Sequence, residues 1–286
     1  MTKTLVKPFK AGLIGAGIEA SLTPSMHMTE GAAQGLPYEY ELIDMNILGA
    51  TTQDLPQLLS DAEARGLSGL NITHPCKQAI ISSIDTLSDE ARSLGAVNTV
   101  LLKGGKRHGH NTDWWGFAES FRRGFPDADR RSAVQLGAGG AGVATAYAAL
   151  SLGIRQLTVF DREQERAVAL AEGMREHFPD ADILAGSDLS LSMGHSAGLI
   201  HATPTGMAKY PGLPLPADLL EPRHWVAEIV YFPLETALLQ QARQIGCRTL
   251  DGGGMAVFQA VGAFRLFTGL EPDADRMLKH FRIMTS

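Results

Sequence analysis

The sequence predicts an α/β fold in two domains, and three observations predict it. Short apolar runs alternate with stretches of helical periodicity along nearly the whole chain, the pattern of parallel strands joined by helices. The strand pattern restarts at Ser132, which points to a boundary near residues 111–117. A length of 286 residues, 44% hydrophobic and 20% charged, suffices for two cores of ordinary globular composition.

The elements follow in order. In the first half, residues 11–14, 38–43, 69–72 and 97–102 read as strands, and 25–34, 52–65, 76–80 and 88–94 read as helices. Ser88 is a plausible cap, although Ala91 stands where a full capping box would place Glu. In the second half, 132–136 is a strand, 137–142 a glycine turn, and 143–152 an alanine-rich helix ended by Gly153. Residues 156–160 form the next strand and 162–177 a long helix; further strands are expected at 183–184, 198–201, 225–228 and 248–250. Residues 211–216 hold too many prolines for a helix or central strand and read as a surface loop. Residues 255–267 and 273–284 close the chain as helices that could return to the first domain.

Composition excludes several classes. No run approaches the roughly 18 apolar residues of a membrane span. The opening MTKTLVKPFK lacks a signal core, so the expectation is a cytoplasmic protein. Two cysteines, Cys76 and Cys247, suggest neither a disulfide framework nor a zinc site. A net charge of −6 argues against a nucleic-acid partner. The expected assembly is a monomer or homodimer.

Gly137-Ala138-Gly139-Gly140-Ala141-Gly142 fits G-x-G-x-x-G with its full context: a strand before, a helix after, a second strand, then Asp161. Gly137 permits the tight turn, Gly139 lets the backbone approach a pyrophosphate, and Gly142 allows close helix–strand packing. The helix N-terminus offers N–H groups and partial positive charge to the phosphates. Alone such a motif would be an ordinary glycine turn; in this context it predicts a Rossmann-type dinucleotide site. Asp161 falls where a carboxylate would meet the adenosine ribose hydroxyls and would repel a 2′-phosphate, so NAD is expected over NADP. Arg162 pulls the other way, since it could pair with that phosphate. Arg166 could lie near the adenine, though a solvated helix residue is its commoner role. A rival, Gly15-Ala16-Gly17-Ile18-Glu19-Ala20, also follows a strand, but Pro24 follows too soon for a helix to start there. It reads as a flexible loop leading into a substrate site.

Four polar clusters lack an obvious core role: Ser21-Leu22-Thr23-Pro24, Asn71-Ile72-Thr73-His74-Pro75-Cys76-Lys77, Gly95-Ala96-Val97-Asn98-Thr99, and Asn111-Thr112-Asp113. In this order they resemble the S-x-S-P, N-[VI]-T-x-P-x-K, G-A-x-N-T and N-T-D blocks of the shikimate dehydrogenase family. The glycine turn, His201-Ala202-Thr203-Pro204-Thr205-Gly206, Val230-Tyr231-Phe232-Pro233, and Gly254-Met255 with Gln259 continue the resemblance over nearly the whole chain. It implies a substrate domain at residues 1–113, a Rossmann NAD-binding domain at 114–252, and C-terminal helices at 253–286 packing back on the first. It further implies a Lys77–Asp113 catalytic dyad, with Ser21, Thr23, Asn71, Thr73, Asn98, Tyr231 and Gln259 around a small hydroxy acid. The cofactor would be held by Gly137 to Gly142, Asp161, Arg162, Arg166, Ala202, Thr203, Pro204, Val230, Gly252 and Met255. A place in aromatic amino acid biosynthesis would follow.

The chemistry of the residues agrees. Alcohol oxidation needs a base for the hydroxyl proton as hydride leaves, and a lysine serves if its surroundings bring its pKa toward the working pH. Taken alone, Lys77 would be a surface lysine. Small hydroxyl and amide side chains suit a polyol, because each buried hydroxyl needs a partner. Thr23 replaces the family's usual second serine, and Phe160-Asp161-Arg162 replaces its usual NADP motif. Both resemble the NAD-dependent quinate/shikimate branch, where a threonine could accommodate quinate's extra hydroxyl. The alternatives are another substrate such as aminoshikimate, or a non-catalytic NAD- and quinate-binding regulator. His108-Gly109-His110 with Asp113 could suggest a metal, but the chemistry requires none. Cys76 reads as a bystander, His74 as a supporting residue, and Trp114 with Trp115 as packing at the domain junction.

Overall fold

A computed structural model describes residues 8–285; the reading of residues 1–7 as free of a signal core lies outside them. The chain forms two compact units, one running to Thr112 and resuming at Gln259, the other spanning Asp113–Phe258. The second division falls inside one helix, Gly253–Thr268.

The first unit carries β1 (Phe9–Gly15), β2 (Tyr38–Asp44), β3 (Gly69–Ile72), β4 (Thr86–Leu87), β5 (Thr99–Lys103) and β6 (Lys106–His110), ordered β2-β1-β3-β5-β6-β4. The first three are parallel, joined through helices Thr23–Ala33 and Leu55–Ala64. Pro24 occupies the first turn of the former, where its missing N–H costs no hydrogen bond. Leu55, Leu59 and Ala62 put the buried stripe of the latter on the core, with Ile14, Leu70, Ile72 and Ile80. Ser88 accepts a hydrogen bond from Ala91 N–H at 3.2 Å and caps helix Asp89–Leu94, which Gly95 ends in a left-handed conformation.

The sequence pattern suggested parallel strands throughout, but this sheet is mixed. β5 runs antiparallel to β3, and β6 antiparallel to β5. The hairpin turns at Gly104 and Gly105, both with positive φ (61° and 71°), as a two-residue primed turn requires. β6 was invisible because Lys106-Arg107-His108-Gly109-His110 contains no aliphatic residue; its packing residue is Gly109, where a Cβ would crowd Leu87, Val97 and Ile84. The expected 97–102 strand accordingly begins at Thr99, leaving Val97 and Asn98 in a connector.

After Gln259 the long helix lays Ala263 and Phe267 against Ala11, with Phe9, Tyr38 and Tyr40 beside them. The last helix, Ala274–Thr285, is tied to Thr23–Ala33 by Arg276 to Glu30 (2.7 Å) and by His280 Nε2 to Ser25 Oγ (2.8 Å). The closing helices thus return to the first unit.

The second unit carries β7 (Ser132–Leu136), β8 (Gln156–Phe160), β9 (Asp182–Ala185), β10 (Gly198–His201), β11 (Trp225–Glu228) and β12 (Arg248–Leu250). Every neighbouring pair is parallel, in the order β12-β11-β10-β7-β8-β9. Counted from β7 this is 6-5-4-1-2-3, the doubly wound order of dinucleotide-binding sheets, whose crevice opens where the winding reverses, between β7 and β10. Helix Gly140–Ser151 starts three residues earlier than expected, and Gln164–His177 two residues later. Helix Asp113–Gly124 fills what the sequence marked only as a boundary, burying Phe117 and Phe121 beside Phe125 and Trp225. Residues 211–216 contain neither helix nor strand. Among the described residues no helix is long and apolar enough to cross a membrane.

Candidate active site

In the first unit, the carboxyl edge of β2-β1-β3 gathers the polar clusters. β1 ends at Gly15, where a Cβ would strike the Thr73 side chain, so the loop after β1 and the loop after β3 lie together. Ala16 N–H donates to the His74 carbonyl (3.0 Å), and Thr73 N–H to Ile14 O (2.9 Å). The loop from Gly15 was expected to be flexible, but it is pinned: the Asp44 carboxylate accepts N–H bonds from Gly17 (3.0 Å) and Ile18 (2.7 Å). Burial would raise the Asp44 pKa, but these backbone donors outweigh it and hold the carboxyl below its ordinary range. Beyond that anchor come Ser21 and Thr23, both half-buried, with Thr23 N–H 3.3 Å from Ser21 Oγ. No helix starts at Gly15 or Gly17, consistent with the proline-based argument.

Lys77 is half-buried on the short helix Cys76–Ala79, and its carbonyl accepts Val97 N–H (2.8 Å), so the Gly95–Thr99 cluster abuts the lysine's turn. Asn98 follows at once. Its Oδ1 accepts Thr112 N–H at 2.7 Å and the Thr99 hydroxyl at 2.9 Å, and its Nδ2 donates to Thr112 Oγ1 at 3.0 Å. Asn71 is more occupied than expected: it is 4% exposed, Tyr40 OH donates to its Oδ1 (2.8 Å), and its Nδ2 faces Thr99 Oγ1 (3.3 Å). These bonds make it a brace for Asn98 and the start of β5 at Thr99.

The second unit holds Asp113, 8% exposed at the first residue of its helix, and Tyr231, 46% exposed after β11. Its remaining candidates gather at the carboxyl edge of the sheet. Gly137 has φ +104°, and a Cβ there would collide with the Ala202 carbonyl, which places the loops after β7 and β10 in contact. At Gly142 a Cβ would run into the Gly137 carbonyl, whereas Gly139 and Gly140 face open space. Gly139 caps helix Gly140–Ser151 without any side-chain partner, leaving the helix start open to an anion. The Asp161 carboxylate accepts Ala138 N–H (2.7 Å) and Glu163 N–H (3.0 Å), which fixes it beside the glycine loop. Arg162 is exposed, and Arg166 is spent on an exposed i,i+3 pair with Glu163 (2.9 Å). Gly252 has no room for a Cβ beside the Ile229 and Val230 carbonyls, so Val230 and Gly252 adjoin, with Met255 on the next helix turn.

Sequence reasoning missed the residues that hold these loops. Gln135, fully buried on β7, donates from Nε2 to Gly137 O (2.9 Å) and Gly142 O (2.8 Å), while its Oε1 accepts the Thr145 hydroxyl (3.0 Å). His201 and Glu228 end β10 and β11. The available signal was a polar or ionisable residue within or ending a mostly apolar strand. Cys76 is buried against the Met45 sulfur, and burial pushes its thiol up to about 11, which disfavours a thiolate nucleophile. Among the described residues no three His, Cys, Asp or Glu side chains are grouped to hold a metal ion.

Residues 13–100 match the shikimate dehydrogenase substrate binding domain, and residues 252–280 match the shikimate 5'-dehydrogenase C-terminal domain. A shikimate dehydrogenase (NADP(+)) of Streptomyces avermitilis is 56% identical over 272 residues, covering 94% of each chain. The chain belongs to the shikimate dehydrogenase family. A quinate/shikimate dehydrogenase (NAD(+)) of Corynebacterium efficiens is 46% identical, over 94% of this chain and 96% of that one. The structure of quinate dehydrogenase from Corynebacterium glutamicum in complex with NAD superposes with a TM-score of 0.91 at 45% identity, over 96% and 99% of the two chains. Family membership fixes the first unit as the substrate domain and the second as the Rossmann domain. It leaves the choice between NAD and NADP to the residues after β8.

Proposed function

We propose that the protein is an NAD-dependent oxidoreductase that interconverts shikimate with 3-dehydroshikimate, or quinate with 3-dehydroquinate. The observation that carries the cofactor assignment is Asp161. Backbone donors on both sides hold its carboxylate just after β8, the position at which a dinucleotide-binding fold of this kind uses an acidic residue against the adenosine ribose. A carboxylate there accepts from ribose hydroxyls and repels a 2′-phosphate. Glycine loop and open helix start fit the pyrophosphate. The bound nicotinamide supplies a hydride acceptor and donor.

Lys77 would hold or release the proton at the substrate hydroxyl that becomes a ketone, with Asp113 as its charge partner. Ser21, Thr23, Thr73, Asn98 and Gln259 would supply hydroxyl and amide groups for a carboxylate and ring hydroxyls. A polyol lacking one hydroxyl would leave such a group unpaired, which is how sites of this kind discriminate. Replacing Lys77 with Ala should lower kcat by about 10²–10⁴ while NADH binding persists. Activity within about threefold of the parent would remove Lys77 from its role. NADH binding without turnover in the parent protein would favour a sensor of NAD and quinate instead.

A further inference from the structure

His201 and Glu228 are 0% and 2% exposed, at the ends of two adjacent parallel strands. A titratable pair in a dry interior is costly unless its polar atoms are satisfied. Here the bonds form one string. His201 Nδ1 lies 2.8 and 2.9 Å from the two Glu228 oxygens, which only accept, so Nδ1 carries the proton. The ring's Nε2 pairs with the Thr203 hydroxyl at 2.5 Å, and Thr203 Oγ1 in turn accepts Thr205 N–H at 3.2 Å. Glu228 Oε1 also accepts the N–H groups of Ile229 (2.9 Å) and Val230 (3.0 Å), and Oε2 accepts the Thr236 hydroxyl (3.1 Å). Thr236 caps the following helix, Ala237–Ile245, through Leu239 N–H.

The string therefore joins two irregular segments, 202–205 and 229–230, that contribute Ala202, Thr203, Pro204 and Val230 to the carboxyl edge that also carries the glycine loop. Irregular backbone that must meet a ligand in one conformation pays its ordering entropy on binding unless the protein orders it beforehand. We propose that His201 and Glu228 are positioning residues for the dinucleotide, acting through Thr203 and the 229–230 turn. This rests on the reading of that edge as the dinucleotide site.

The test cuts the string at one link from each side. His201→Asn retains a donor near Nδ1 for Glu228 but cannot reach Thr203; Thr203→Val removes the hydroxyl and leaves the buried pair intact. Each should raise the NADH Kd and the NAD KM about tenfold, the scale of one lost buried hydrogen bond. The KM for shikimate should stay within about twofold, since that side of the chemistry is untouched. Because both cut one link, the double variant should be no worse than the more affected single variant, and Thr203→Ser should restore parental binding. Three outcomes overturn the proposal: NADH Kd within about twofold in both variants, whatever the melting temperature; additive effects, which would make Thr203 a direct contact; or no rescue by serine. Should His201→Asn fail to fold, the Thr203→Val and Thr203→Ser comparison decides alone. Parent protein that binds neither NADH nor NADPH would instead sink the dinucleotide reading.

Discussion

Gln135→Leu is the sharpest probe of the glycine loop, because a single side chain inside β7 holds both of its ends. Leucine preserves volume and removes two donated hydrogen bonds, to Gly137 O at 2.9 Å and Gly142 O at 2.8 Å, and one acceptor for Thr145. A buried carbonyl left without a donor costs about 1–3 kcal/mol. One of the two has a fallback: the Thr145 hydroxyl already lies 3.1 Å from Gly142 O and can donate there once Gln135 Oε1 is gone. With Gly142 O compensated in this way, the net loss should be about 1–3 kcal/mol rather than the 2–6 of two orphaned carbonyls. At about 2–4 °C per kcal/mol for a domain of this size, the melting temperature should fall by about 2–12 °C. Thr145→Val should cost about 1–2 kcal/mol, because it orphans only the Gln135 Oε1. Thermal unfolding with and without saturating NADH, alongside the NAD KM, reads both consequences. A leucine variant that melts within about 1 °C of the parent and keeps its NAD KM within about twofold would refute the clamp.

Asp161→Ser should shorten the gap between NAD and NADP by about ten- to a hundredfold in kcat/KM, chiefly through a lower NADP KM; an unchanged ratio would clear Asp161. Thr23→Ser should shift the quinate/shikimate ratio toward shikimate, and identical ratios would remove Thr23 as its cause. Glu30 is buried, which alone would raise its pKa, but bonds from Arg276, Asp273 N–H and Gln34 outweigh this and lower it. A lowered folded pKa means stability present above the ordinary glutamate range and lost as pH falls through the folded value. Glu30→Gln should therefore cost about 1–3 kcal/mol at pH 7, with the deficit closing in acid; a pH-independent deficit would contradict the ion-pair account.

The Rossmann unit was legible because its signals are local: a glycine turn between strand and helix, then an aspartate ending the next strand. Its sheet order follows from right-handed crossovers once parallel strands are recognised. The hairpin in the first unit was not legible, since β6 is built from Lys, Arg, His and Gly and packs through a missing side chain at Gly109. The helix from Asp113 went unread although its first turn holds Trp114 and Trp115, because the stretch reads in sequence only as a boundary. Candidate residues announced themselves as polar clusters, but what holds them did not. Tyr40 reaches Asn71 across 31 positions and His201 reaches Glu228 across 27, through contacts that only the fold creates, while Gln135 closes the glycine loop from within β7. Arg166 shows the converse: a residue at a suggestive spacing whose charge is taken up by its own helix neighbour.

The account rests on hydride passing between a ring alcohol acid and nicotinamide, and steady-state rates for four pairings test it most directly. Shikimate or quinate would be offered with NAD or NADP, and absorbance of the reduced nucleotide followed. The account predicts turnover with at least one acid and a kcat/KM at least about tenfold higher with NAD than with NADP. Higher efficiency with NADP would contradict the role given to Asp161, and no reduction in any of the four pairings would contradict the enzyme itself.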